Sequence, residues 1–175
     1  MRKRQFIFTL LAERDQFELL LNQIGFSGRM TMPGVCGKWS VKDMIAHVLA
    51  NEQYIADRMH EVILGENHQP ARTTTEFNDF LKRYGHPDFS SDFQDVESSD
   101  EWVIAKYKRV PLEEVVAQEV NAFNAIISAV DDMSDELLTR HLFLARISQI
   151  TFECYRKHRA EIGHWITQPG SGADF

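Results

Sequence analysis

The sequence predicts an all-α protein: a four-helix bundle with one long crossover between its second and third helices. Three observations carry that prediction. Four segments place apolar residues at three- and four-residue steps, the period of an amphipathic helix. No segment reads convincingly as a strand. The linkers run short, long, short, which is the connectivity of a bundle with a single crossover. No internal repeat is visible.

The first helix is expected over residues 3–24, where Phe6, Leu10, Phe17, Leu20, Leu21 and Ile24 share the helical period. Gly25 stops it. Residues 25–39 contain Gly25, Gly28, Pro33, Gly34 and Gly37 and read as a loop. Ser40 then caps the second helix, with Asp43 three residues on as the acidic half of a capping box. Its apolar run passes from Val41 through Met44, Ile45, Val48, Leu49, Ile55 and Met59 to Val62 and Ile63, ending near Leu64-Gly65.

Residues 66–100 are polar and interrupted by Pro70, Gly85-His86-Pro87 and Ser90-Ser91-Asp92. They form the crossover, with short helical turns expected around 75–84. Helical pattern resumes at Ser99-Asp100-Glu101-Trp102. Pro111 suits a first helical position, and Glu113 and Glu114 suit the turn behind it. Val115, Val116, Val120, Phe123, Ile126, Ile127 and Val130 continue the stripe. Asp131–Ser134 breaks it, and a short turn follows at Asp135–Leu138. The last helix is expected from near Ser148 to about Thr167. Residues 1–168 read as a single domain and 169–175 as a flexible C-terminal tail.

Composition narrows the function classes. The chain has 175 residues, 43% hydrophobic and 26% charged, as one ordinary globular domain would. Such a length buries a sizeable core without disulfides or metal. Asp and Glu outnumber Lys and Arg by 26 to 19, a formal charge of −7. That balance argues against a nucleic-acid partner, whose phosphates call for basic groups. Two cysteines, Cys36 and Cys154, are too few for a disulfide framework and fit a reducing cytoplasm. The apolar run behind Met1-Arg2-Lys3-Arg4 stops at Glu13, short of a signal peptide, and nothing approaches the roughly 20 apolar residues of a membrane span. The expectation is a soluble cytoplasmic protein with neither membrane nor nucleic acid as partner.

Bundles build sites from polar side chains on their apolar stripes. On the second helix, Met44, His47, Val48, Asn51 and Ile55 share a face, so His47 points inward or to the margin. A buried neutral imidazole is costly unless paired or ligating. Asp43, one turn earlier, could orient it, although capping alone would explain that residue. On the last helix, Ile147, Ile150, Cys154, His158, Glu161, Ile162 and Trp165 form the stripe. Cys154 and His158 stand four apart and project from one face. With His47 from across the bundle they make three ligands with an open position, the pattern of a catalytic metal site. Imidazole and thiolate suit zinc, and imidazole also suits nickel or iron. The plainer alternative stays open: a cysteine that fills space and histidines satisfied in the core. His60, His141 and His164 fall on solvent faces or margins, and His68 and His86 lie in the crossover. Trp39, Tyr54, Tyr84, Tyr107 and Tyr155 read as packing residues, the tyrosines with their hydroxyls at the surface.

The segment Gly37-Lys38-Trp39-Ser40-Val41-Lys42-Asp43-Met44-Ile45-Ala46-His47-Val48 resembles the second-helix signature of the DinB-like superfamily. That signature is a Trp-Ser/Thr-x-x-Asp/Glu opening with a histidine eight residues after the tryptophan. Thr151-Phe152-Glu153-Cys154-Tyr155-Arg156-Lys157-His158 resembles its final-helix signature, where two histidines usually stand four apart. Within the superfamily the sequence is most similar to the DfsB/ClbS-type four-helix bundle proteins, and the similarity spans nearly the whole chain. The resemblance implies a cytoplasmic bundle, commonly a homodimer, with a divalent metal on three histidines. It implies relatives that are thiol-dependent transferases and isomerases using bacillithiol, mycothiol or glutathione, and others that open a cyclopropane in a genotoxin. Cys154 departs from the pattern, standing where the first helix-4 histidine is usual, while His47 and His158 match.

The first functional expectation is therefore a metal-dependent hydrolase or thiol transferase. A divalent metal, zinc or nickel, on His47, Cys154 and His158 would activate water or a low-molecular-weight thiol against a small electrophile such as a toxin or antibiotic. Asp43 would support the ligands from behind. The alternative is a metal-free bundle that sequesters a small molecule without catalysis. A third reading is a structural dimer. The sequence leaves open whether Cys36 approaches the site.

Overall fold

The computed structural model describes residues 3–25, 28–66, 69–92 and 94–168, and these are all-helical. His68 and the expected tail at 169–175 lie outside the described residues. The helices are α1 (Lys3–Ile24), α2 (Val41–Ile63), α3 (Thr74–Tyr84), α4 (Val96–Tyr107), α5 (Leu112–Asp132), α6 (Asp135–Arg140), α7 (Phe143–Ser148) and α8 (Cys154–Ile166). A short 3₁₀ turn, Gly28–Thr31, follows α1, and a π-helical turn, Gln149–Glu153, joins α7 to α8.

The element at the centre is α2. It lies along α5 and also meets α4, α7, α8 and the π turn, while α1 packs on α8 and α5. Its start is fixed as the sequence implies: Ser40 Oγ accepts from Asp43 N, and Asp43 Oδ2 accepts from Ser40 N at 2.8 Å. Met44, Ile45, Leu49, Ile55 and Met59 bury completely from this one helix, against Phe6, Leu10 and Phe17 of α1, Ile126 of α5 and Tyr155 of α8. Each such side chain contributes about 1.5–3 kcal/mol on leaving water. No helix among the described residues is long and apolar enough to cross a membrane.

Three elements differ from the sequence reading. The third long helix is two helices. Pro111 has no N–H to continue a helix and bars helical backbone before it, so α4 ends at Tyr107 and α5 starts behind Pro111 as its N-cap. Asp95 caps α4 through Glu97 N at 3.1 Å, which starts that helix ahead of Ser99. The last helical run begins at Phe143 rather than Ser148. Leu142 takes left-handed backbone (φ 54°), closes α6 and lets α7 start at once. The run then passes through the π turn without a break to Ile166. The turn expected around 75–84 is α3, capped by Thr73 and closed by left-handed Gly85 (φ 71°).

Candidate metal centre

Three elements deliver the candidate ligands. α2 presents His47 from its second turn, half-buried. The π turn ends at Glu153, so Cys154 and His158 open α8. One extra residue in a turn rotates everything after it by about 100°. Around the turn Thr151, Phe152 and Tyr155 are buried, while Ile150 and Cys154 are partly so. His158 is 1% exposed.

The three side chains converge. His47 Nδ1 lies 3.2 Å from His158 Nε2 and 3.6 Å from Cys154 Sγ. One ligand atom from each of the three falls within 4.8 Å of the other two. Tetrahedral zinc, with bonds of about 2.0–2.1 Å to nitrogen and 2.3 Å to sulfur, sets N–N edges near 3.3 Å and N–S edges near 3.6 Å. The two closest separations match those edges.

Carboxylates hold the outer faces of both imidazoles. His158 Nδ1 is 2.8 Å from Glu161 Oε2, which can only accept, so the proton sits on Nδ1 and Nε2 offers a lone pair. His47 Nε2 faces Asp100 Oδ1 of α4 at 3.3 Å. Asn51 Nδ2 donates to His47 O at 3.0 Å and stands 3.3 Å from the same Nε2. A carboxylate behind each imidazole is the arrangement that orients metal-binding histidines. Trp39 covers the pair, its ring 5.4 Å from that of His47 and 6.3 Å from that of His158. A tight turn aims it: Trp39 N donates to Cys36 O at 3.0 Å, with Gly37 left-handed at φ 57°.

Electrostatics leave the imidazole of His158 ready to ligate and the thiol of Cys154 not yet ionised. Burial, helped by neighbouring His47 and opposed by Glu161, lowers the His158 pKa to about 4. Burial, with Glu52 adding, pushes the Cys154 thiol up to about 12. Thiolate would therefore form there by exchange of its proton for a cation.

Asp43 serves the start of its own helix. Its carboxylate closes the capping box with Ser40 N and Oγ, and the carboxylates beside the imidazoles are those of Asp100 and Glu161. Glu161 belongs to the apolar stripe of the last helix, whereas Asp100 falls in the helical pattern that resumes at Ser99 and nothing local shows that it faces His47. Cys36 is exposed, and slight desolvation with the nearby Glu161 carboxylate raises its pKa.

A second buried cluster was not foreseen. Arg14 grips Glu119 with both terminal nitrogens, one at 2.6 Å, and lies 4.3 Å over the Phe123 ring. Tyr155 OH donates to Glu52 Oε1. The hydroxyl is thus in the core, not at the surface. Among the described residues, Glu52 Oε2 and Glu119 Oε1 have no hydrogen-bond partner, although Arg14 forms an ion pair with the latter. Burial, then Glu119, raise the Glu52 pKa well above its ordinary value, and burial raises that of Glu119 against the pull of Arg14. His86 is buried too, with Nε2 2.7 Å from Asp57 Oδ2.

No family model, curated protein or solved structure matches this chain. The site is read from its own geometry.

Proposed function

We propose that this protein is a metal-dependent enzyme with a DinB-like four-helix bundle fold, nearest the DfsB/ClbS type, acting on a small electrophile. In this reading α1, α2, the α4–α5 pair and the α7–α8 run stand for the four helices, and the segment carrying α3 is the crossover. His47 Nδ1, Cys154 Sγ and His158 Nε2 hold a divalent ion, zinc by the character of a two-imidazole, one-thiolate set.

The observation that carries the proposal is the 3.2 Å approach of His47 Nδ1 to His158 Nε2 with a carboxylate behind each ring. A structural histidine pair needs no such convergence on a third ligand. A divalent ion held there would lower the pKa of water or of a low-molecular-weight thiol and so supply a nucleophile near neutral pH. The chain's own residues set the conditions. Glu161 keeps the proton on His158 Nδ1, Asp100 anchors His47, and Trp39 shields both rings from solvent.

The sequestering alternative rests on a cavity of about 170 Å³ between α1, α2 and α5, with walls mostly of Phe17, Leu21, Ile45, Val116 and Val120 and a polar edge at Arg14 and Glu119. It gives no role to the convergence of His47, Cys154 and His158. The deciding experiment is the metal content of untagged protein beside His47→Ala. Near-stoichiometric zinc lost in the variant, at unchanged helix content, is the expected result. Zinc retained by His47→Ala overturns the proposal.

A further inference from the structure

Next to the candidate centre lies a cleft of about 550 Å³, between the Trp39 loop, the first turn of α2 and the end of α4. Its volume is that of a small-molecule site. Lys38, Lys42 and Lys108 line it beside Trp39 and Ile104. Asp43 also lines it, but that carboxylate is occupied by Ser40. A chain of net charge −7 thus presents a locally cationic recess. Low-dielectric walls focus such a field on incoming anions.

Lys42 carries the argument. It is only 9% exposed. Its Nζ donates to Lys108 O at 3.2 Å, and among the described residues no ion pair forms at it. Its stem is buried and its ammonium, part-buried and held by one carbonyl, keeps donors free for an anion in the cleft. Lys38 differs, being exposed and 2.9 Å from Glu101. The start of α2 adds positive charge from its dipole and from the first-turn N–H groups, of which Ser40 Oγ caps that of Asp43. Trp39 links the cleft to the centre, since the same indole lines one and covers the two imidazoles of the other.

We propose that this cleft binds the carboxylate of a small, flat organic acid. Lys42 and Lys108 hold the anion, and Trp39 and Ile104 carry the apolar body toward the centre. Only that direction of approach rests on the metal reading; recognition of the anion does not.

The test is calorimetric titration of the full chain, zinc-loaded and metal-stripped, with 2-naphthoate and with uncharged 2-naphthamide. One naphthoate should bind per chain, and the amide about tenfold more weakly or worse, because it forfeits the charge-assisted hydrogen bonds to lysine. Lys42→Met should weaken naphthoate by about tenfold or more and Lys108→Met by less, with helix content and zinc uptake unchanged. Should Lys42→Met fail to fold, Lys108→Met and the fall of affinity with added chloride decide the matter. No naphthoate binding, equal binding of the amide, or affinity indifferent to both lysine and chloride overturns the proposal. Naphthoate binding without zinc uptake would sink the metal reading and leave this one standing; zinc uptake without naphthoate binding would do the reverse.

Discussion

His47 Nδ1 and His158 Nε2 stand 3.2 Å apart although 111 positions separate them in sequence. Glu161 fixes the proton of His158 on its far nitrogen, and Asp100 faces the far nitrogen of His47. Two lone pairs cannot confront each other at this distance without a proton or a cation between them. Cys154 Sγ, 3.6 Å from His47 Nδ1, completes the set with its own proton still attached.

Zinc uptake should therefore expel protons. The count is read from a pH indicator in weak buffer as zinc is added. Cys154→Ala should release about one proton fewer per ion than the parent chain. The same proton count in both proteins would show that the thiol is no ligand. Cobalt should report the bond independently, through a sulfur-to-metal charge-transfer band absent from Cys154→Ala.

The carboxylates behind the rings make a separate prediction. Glu161→Gln and Asp100→Asn each keep the size of the side chain and remove its charge. Each should weaken zinc by about 10- to 100-fold in competition with a chelator, at unchanged helix content. Unaltered zinc affinity in both variants would reduce these carboxylates to bystanders.

Much of this architecture is legible in the sequence, and the limits have physical causes. Ser40 with Asp43 declares the start of α2, and the three- and four-residue steps place His47, Cys154 and His158 on inward faces. The same periodicity could not reveal the π turn at Gln149–Glu153, which inserts a residue without a marker residue such as Gly or Pro. Leu142 in left-handed backbone is equally silent, because leucine rarely adopts it. Asp43 looked like the partner of His47 because it lies one turn away. Its carboxylate instead serves its own backbone, and Asp100 arrives from a helix whose packing no local pattern announces. Arg14, Glu52 and Glu119 escape a local reading for the same reason: the core cluster joins α1, α2 and α5, and Arg14 and Glu119 stand 105 positions apart.

The burial of Glu52 beside Glu119 predicts an unusual pH response. Burial, then the charge of Glu119, hold the Glu52 carboxyl above its ordinary value. A group raised in the folded state gives its full contribution below its unfolded value and loses it as pH rises through the folded one. Glu52→Gln replaces the protonated acid with an amide that can still accept from Tyr155 and donate to Glu119. Relative to Glu52→Gln, the parent chain should lose stability as pH climbs above the ordinary carboxylate range. Urea unfolding of both proteins across pH reads this difference directly. A constant difference would mean that Glu52 ionises normally in the fold.

Arg14 is the cation that faces the buried carboxyl of Glu119, and its removal should be the most damaging single change in this region. The guanidinium meets Glu119 through two nitrogens, Glu18 through Nε at 2.7 Å and the face of Phe123 at 4.3 Å. Arg14→Met keeps much of the volume but leaves a buried carboxylate without a cation. Breaking one side of a buried pair costs about 3–5 kcal/mol, whereas replacing both sides with fitting uncharged groups is often neutral or better. The double variant Arg14→Met/Glu119→Gln should therefore recover a large part of the stability that Arg14→Met loses. Additive losses in denaturant unfolding would show instead that the stack on Phe123 and the contact with Glu18, not the charge pair, give Arg14 its weight. Zinc affinity should be unmoved throughout, since none of these groups touches His47, Cys154 or His158.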